Sequence, residues 1–214
     1  MSDVVAHRLA TADLLRTLGH QFSAHEFDDD QLSDLDARLR LLIADISGAA
    51  PRERAFHGET FATFKERMPR VGIDTPRPLP GDALVTGGAN PHGVGACLRR
   101  DGDDIVITCA LDKAFEGAPT RGHGGVIAAI LDEAMGIVLT MKGELAFTAQ
   151  LDLSYRAPTP INRPLVARGW EHARDGRKVT LKGELRDGDT LLVEATALFI
   201  TIDPTTFLQR ADTV

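Results

Sequence analysis

Residues 121–143 read RGHGGVIAAILDEAMGIVLTMKG, and the arrangement of the rest of the chain follows from this stretch. Val126, Ile127, Ile130, Leu131, Met135, Ile137, Val138 and Leu139 cover every direction round a helical axis. The spacing therefore predicts one long helix from about Gly124 to Met141 that is buried rather than amphipathic. Two adjacent carboxylates, Asp132 and Glu133, interrupt it. An ionised carboxylate in dry surroundings is costly unless it is paired or hydrogen-bonded, so each of the two needs a partner, water or a chemical task. A turn of about 100° separates neighbours on a helix, so the two acids can serve different ends. Asp132 shares its face with Gly125, Ala128, Ala129, Met135 and Gly136. Most of these are small, which leaves room above Asp132 for something other than protein. Glu133 lies nearer Ile130 and Ile137, where an ion pair or hydrogen bond to a neighbouring segment is the plainer role.

His123-Gly124-Gly125 opens the helix. The first amides of a helix have no partner within it, and the dipole there favours negative charge. Glycine lets a ligand approach those amides closely, so the site suits a phosphate or the oxyanion of a tetrahedral intermediate. As a dinucleotide fingerprint the stretch fails, because GHGGVI lacks the third small residue and no strand precedes it. A GxSxG nucleophile elbow is absent as well. By itself His123 reads as the helix cap.

Outward from the helix the pattern changes period. GACLRRDGDDIVITCAL, LAFTAQLDLSYRAP and the long run from Pro164 to Asp203 are strand-like, with Asp-Gly pairs at 101–102, 175–176 and 187–188 where hairpin turns belong. Val179, Leu181 and Leu185 alternate with Thr180, Lys182, Glu184 and Arg186, as in a half-buried antiparallel strand. The expected class is α+β: an antiparallel sheet wrapped around one central helix. Before it, Leu9, Leu14, Leu15, Leu18, Leu32, Leu35, Leu39, Leu42 and Ile46 recur at helical spacing, with Asp28–Asp30 placed to cap a second helix. Residues 1–56 are thus expected to form a helical hairpin extension, 57–90 a linker and access loop rich in proline and glycine, 91–203 the main domain and 204–214 a tail.

The chain has 214 residues, 43% of them hydrophobic, and a formal net charge of -7. No basic run exceeds the pair Arg99-Arg100, so no nucleic-acid partner is expected. The N-terminal residues mix charges without an apolar core, and Val126–Met141 is short and carries acids, so neither a secretory signal nor a membrane span is expected. Two cysteines, Cys97 and Cys109, and seven scattered histidines offer no metal-ligand spacing. They point to a cytoplasmic protein with reduced thiols and no metal.

HGGVIAAILDEAMG followed by TAQLDLSYRAPTP resembles the PaaI-like hotdog-fold acyl-CoA thioesterases, the Them-type enzymes among them, over roughly Asn90 to Ile202. The resemblance implies a hotdog fold, an acyl-CoA substrate and no cofactor. It further implies Asp132 as the acid acting on water or on the thioester, Thr148 as its assistant and Gly124 as the oxyanion donor. His123 and Gly125 would border the substrate, and Ser154, Arg156, Arg177 and Lys178 would touch the CoA moiety. Many members carry an Asn or Gln shortly before the His. Here Gly117, Ala118 and Pro119 occupy that stretch, so carbonyl activation rests on the helix N-terminus.

Two geometric expectations follow. Gly124 and Asp132 lie about 12 Å apart along one helix, whereas a base and an oxyanion donor must both lie within about 3–4 Å of the reacting centre. They must therefore come from different chains, in a homodimer with antiparallel helices or a dimer of such dimers. Simple alternation also puts Thr148 with Gln150 and Asp152, opposite Leu151 and Leu153, so it reaches the site only through a bulge or a dimer cleft. Phe147, Leu151, Tyr155 and Trp170 could line or block an acyl tunnel, but a place in the core is the plainer expectation for each. The alternatives to hydrolysis are a non-catalytic acyl-CoA binding or sensing module, or a hydratase or dehydratase relying on His123.

Overall fold

The computed structural model describes residues 3–50, 79 and 81–203. The end of the expected extension, much of the 57–90 linker and the 204–214 tail lie outside these residues.

Helix α1 runs Asp3–Ala24 and α2 runs Asp29–Ser47. Asp28 starts α2 with a reciprocal cap: its Oδ1 accepts the Gln31 N–H at 2.8 Å, and Gln31 Oε1 accepts the Asp28 N–H at 3.0 Å. Phe22 stacks on Phe27 across the connection. The two helices nevertheless do not pack along each other. Helix α2 buries no residue and leaves Leu41, Leu42, Ile43 and Ile46 exposed, while α1 lies on the main domain. Arg16 of α1 donates to the carbonyls of Gly88 and Asn90, at 3.1 and 2.7 Å. His20 sits against Asp112 and meets the edge of the Phe115 ring.

The strands are β1 (Cys97–Asp101), β2 (Asp104–Cys109), β3 (Ala146–Tyr155), β4 (Leu165–Asp175), β5 (Lys178–Asp187) and β6 (Thr190–Thr201). They form one antiparallel sheet in the order β1-β2-β4-β5-β6-β3. All three Asp-Gly pairs make hairpins. In each, Asp is the last paired residue of the strand and Gly is the first of two loop residues, with φ of +63° at Gly102, +54° at Gly176 and +55° at Gly188. A left-handed first loop residue is what a two-residue hairpin loop of this kind demands, and glycine adopts it without strain.

Helix α3 (Gly124–Met141) crosses the inner face of the sheet. Its closest approach is at Gly169 on β4, where a Cβ would fall 2.7 Å from the Ala134 carbonyl oxygen. Gly169 pairs with Gly183 on β5, and Gly183 pairs with Ala195 on β6. This row of small residues lets the helix sink towards the strands. Ile127, Ile130, Leu131, Ala134, Met135 and Val138 are buried there together with Ile105, Ile107, Leu165, Leu181 and Leu185.

Three expectations are corrected. The helix is not buried all round: Ala128, Ala129, Asp132, Gly136 and Thr140 stay partly exposed, because a single curved sheet covers only one side. Met135 faces the sheet, fully buried, and does not border the open face beside Asp132. Phe147 and Tyr155 are not core residues; they are 49% and 53% exposed on the edge strand β3. Trp170, next to the inward Gly169, lies on the outer face of the sheet, where it borders a recess with Lys182 and Thr196. By length and composition α3 could cross a membrane, but its apolar residues are those that pack on the sheet.

A charged cluster fixes the C-terminal end of α3. Lys142 Nζ donates to Glu171 at 2.8 Å, and Arg174 bonds both Glu171 and Glu144. The hydrogen bond from Arg174, with help from Lys142, outweighs desolvation and holds the Glu171 carboxyl down at about 2.

Two outcomes are expected. Gly169→Ala places a methyl against the helix backbone and should lower stability by about 2–4 kcal/mol in denaturant unfolding. Glu171→Gln, which carries no charge at any pH, should cost roughly 1–2 kcal/mol at neutral pH after allowance for solvent screening. Since the folded carboxyl is depressed, its contribution is complete above the ordinary carboxylate range and fades as pH falls towards about 2. The stability gap between wild type and variant, followed by thermal unfolding from pH 7 to pH 2, should therefore close on the acid side.

Candidate active site

The start of α3 is held from three directions. His123 is the N-cap, in extended backbone, and its Nδ1 accepts the Gly125 N–H at 3.0 Å. The His123 N–H donates to the Phe115 carbonyl at 2.8 Å, and the His123 carbonyl accepts from Val126 and Ile127. Because Gly125 is committed to His123, the Gly124 N–H is the amide of this turn that has no partner among the described residues. The Tyr155 hydroxyl, on β3, donates to the Gly124 carbonyl at 2.8 Å and tethers the helix start to the edge strand. Arg121, Gly124, Tyr155 and Arg156 border a cleft of about 490 Å³ beside this turn. An open amide at a helix N-terminus facing a cleft is suited to an anionic oxygen.

Asp132 lies two turns further along. Its Oδ1 accepts a hydrogen bond of 2.8 Å from Thr148 Oγ1, and the reason is a β-bulge. The pairing of β3 with β6 slips between Thr148 and Gln150, so that Thr148 faces Phe199 while Gln150 faces Leu198. Phe199 is an inward, buried residue, and directly paired residues share a face. The extra residue, Ala149, thus turns Thr148 to the helix side, away from the face that Gln150 and Asp152 occupy. The second Asp132 oxygen has no partner among the described residues and opens onto a groove of about 290 Å³, lined in part by Leu84, Ala129, Gly136, Thr140 and Phe199.

Glu133 has a different task. Its Oε2 accepts from the Val85 N–H at 2.9 Å, and its Oε1 accepts from the Thr86 N–H at 2.8 Å and the Thr86 hydroxyl at 2.5 Å. The carboxylate pins the loop before β1 to the helix. Of the two adjacent acids, one is consumed by structure and the other is left open.

The remaining residues separate into two groups along β3. Arg177 lies in the β4–β5 turn and Lys178 pairs with Ile200, which in turn pairs with Phe147; both therefore lie at the Asp132–Thr148 end. Ser154 pairs with Glu194 on the outer face, and Arg156 donates to Glu194 at 2.7 Å. Both lie at the opposite end, with His123, Gly124 and Gly125. The candidate residues of the chain therefore fall at two separate places along β3, one at Thr148 and Asp132 and one at Tyr155 and Gly124. Sequence reasoning missed Tyr155 as the tether of Gly124 and Phe199 as the residue beneath Thr148; the inward alternation of β6 was the signal for the second. Cys109 is no nucleophile, since burial pushes its thiol up to about 12.

Comparison with known proteins agrees with this geometry. Residues 122–194 match the family model of the thioesterase superfamily. The acyl-coenzyme A thioesterase THEM4 of Mus musculus is 37% identical over 92 residues, which cover 42% of this chain and 40% of that protein. THEM4 of Xenopus laevis is 34% identical over 127 residues, covering 56% and 57%. The chain thus spans about half the length or less of these curated relatives. A crystal structure described as a thioesterase superfamily protein superposes with a TM-score of 0.73 at 25% identity, over 90% of this chain and 94% of the other.

The loop tether can be tested directly. Glu133→Ala removes three hydrogen bonds at once, and amide exchange at Val85 and Thr86 should speed up by at least about tenfold while the amides of β4 and β5 keep their protection. Unchanged exchange at Val85 and Thr86 would mean the loop is held by other contacts.

Proposed function

We propose that the protein hydrolyses an acyl-CoA thioester, with Asp132 as general base in a site shared between two chains; the match of residues 122–194 to the thioesterase superfamily model and the superposition on a thioesterase superfamily structure support this reading. The observation that carries this reading is the Thr148–Asp132 hydrogen bond at 2.8 Å. It exists only because the bulge at Ala149 interrupts the strand, and it leaves one oxygen of a partly buried carboxylate without a partner among the described residues. Glu133, equally buried, has both oxygens taken by the loop it holds.

The chemistry proceeds in two steps. A water hydrogen-bonded to Asp132 and Thr148 attacks the thioester carbonyl carbon and gives its proton to the carboxylate. The carbonyl oxygen gains the negative charge and is stabilised by the Gly124 N–H. The intermediate then collapses, the C–S bond breaks, and the CoA sulfur leaves with the proton returned from Asp132. Arg177 and Lys178 at one end, and Ser154 and Arg156 at the other, are proposed to hold the CoA moiety. His123 acts by capping. A hydratase would need its imidazole as a base, and Nδ1 is already an acceptor for Gly125.

These two places, read as half-sites, motivate the assembly. Among the described residues strand β3 is an edge of the sheet, paired with β6 alone. Antiparallel pairing of this edge with its copy brings the Thr148 end of one chain beside the Tyr155 end of the other, and the base of one half-site beside the open amide of the other. A dimer of such dimers keeps the same pairing. The unpaired cysteines are consistent with the reducing, cytoplasmic location proposed here.

Asp132→Asn should lower the release of CoA thiol by about 10²–10⁴-fold with little change in acyl-CoA binding. Mixed with Gly124→Val subunits and refolded, it should regain roughly a quarter of wild-type turnover, because a mixed dimer contains one site with both lesions and one with neither. Mixed dimers that stay inactive would show that each site is built within one chain.

A further inference from the structure

We propose that the groove beside Asp132 holds the acyl chain and that Gly136, set against Phe199, fixes its depth, so that the substrates are short- to medium-chain acyl thioesters. This rests on the thioesterase reading above and adds to it a substrate class and a specificity-determining residue.

The groove begins at the candidate base. Gly136 lies one helical turn beyond Asp132 on the same open face, and Phe199 is the direct cross-strand partner of Thr148. An acyl group whose carbonyl sits at Asp132 has its chain directed along this channel. The walls suit a hydrocarbon. Leu84, Ala129, Ile137, Ala146 and Phe199 supply apolar surface, and the polar groups among them are already used. Thr140 Oγ1 donates to the Gly136 carbonyl at 3.1 Å, and the Glu133 carboxylate is taken by Val85 and Thr86. Asp132 alone offers a free acceptor, at the mouth. Leu84, a large apolar side chain left 52% exposed, lines the groove and is carried by the loop that Glu133 pins. Its exposure is explained if a chain passes beneath it.

The dimensions set the class. The groove is small, about 290 Å³, at the lower end of the roughly 300–1,000 Å³ usual for ligand pockets, which points to a short- to medium-chain acyl group. Gly136 controls this space. A Cβ there would lie 3.4 Å from Phe199 Cε1 and 3.7 Å from Cζ, so alanine narrows the channel and valine closes it. Neither change opposes helix formation, since both residues are better helix formers than glycine.

The test is kcat/KM for straight-chain acyl-CoAs from acetyl to palmitoyl. Wild type should peak at or below octanoyl. Gly136→Val should lose more than about tenfold on octanoyl-CoA while keeping acetyl-CoA within a few-fold, and Gly136→Ala should fall between. Phe199→Leu, which lengthens the channel, should move the optimum to longer chains. A wild-type maximum at palmitoyl, or an equal loss on every chain length in a Gly136→Val protein whose circular dichroism is unchanged, overturns the proposal. If wild type hydrolyses none of these thioesters, the thioesterase reading fails instead, and calorimetry still decides the pocket. Octanoyl-CoA should then bind more tightly than CoA to wild type and no more tightly to Gly136→Val, and equal gains in both would refute the assignment.

Discussion

The contact on which the rest of the molecule depends is the close approach of the α3 backbone to β4 at Gly169. With no side chain at Gly169 and Gly183, and only a methyl at Ala195, the helix settles into the sheet at Ala134 and Met135. That contact fixes how the helix is turned. With Leu131, Ala134, Met135 and Val138 directed at the strands, the positions between them, Asp132, Gly136 and Thr140, must emerge at the uncovered side. A side chain at Gly169 would lift or rotate the helix, and every distance at the site would change with it. The glycine is thus part of the site's geometry while remaining far from its chemistry.

The fate of the two acids shows how neighbouring residues acquire unrelated roles. Glu133 exchanges hydration for three hydrogen bonds from one loop, the kind of saturation that makes a partly buried carboxylate tolerable. Asp132 receives one hydrogen bond and keeps an open oxygen. The difference is not in the acids. It lies in what each faces: a loop that turns the Val85 and Thr86 amides towards the helix on one side, and an edge strand with the Thr148 hydroxyl on the other. The same edge strand reaches the start and the middle of the helix, through Tyr155 at Gly124 and Thr148 at Asp132, so its position links the two places.

Supports outside the sheet converge on the same helix. Helix α1 grips the loop at Gly88 and Asn90 through Arg16, and touches through His20 the turn whose Phe115 carbonyl receives the His123 N–H. At the far end Lys142 and Glu144 are tied to β4 by Glu171 and Arg174. A helix whose first amide and one Asp132 oxygen have no partner among the described residues forgoes local stabilisation at both places, and these external contacts offset it.

The sequence by itself determined the helix and its bounds, the three hairpins, the α+β class and the separation of Asp132 from Glu133. Each is a local matter: apolar period, turn chemistry and angle per residue are properties of short segments. The proposal of a site shared between two chains likewise rests on the rise of one helix. What only the tertiary structure decided was which way residues face when a partner strand intervenes. Thr148 turns inward because β3 carries one residue more than β6 at Ala149, and no propensity in AFTAQLDL marks that slip. Phe147, Tyr155 and Trp170 read as core by hydrophobicity, but the strand order places the first two on an edge and the pleat puts the third outside. The open face of α3 has the same origin. A sequence records that a helix is apolar all round, but how many of its sides one sheet can cover depends on the curvature and extent of the strands, which is settled only when they are assembled.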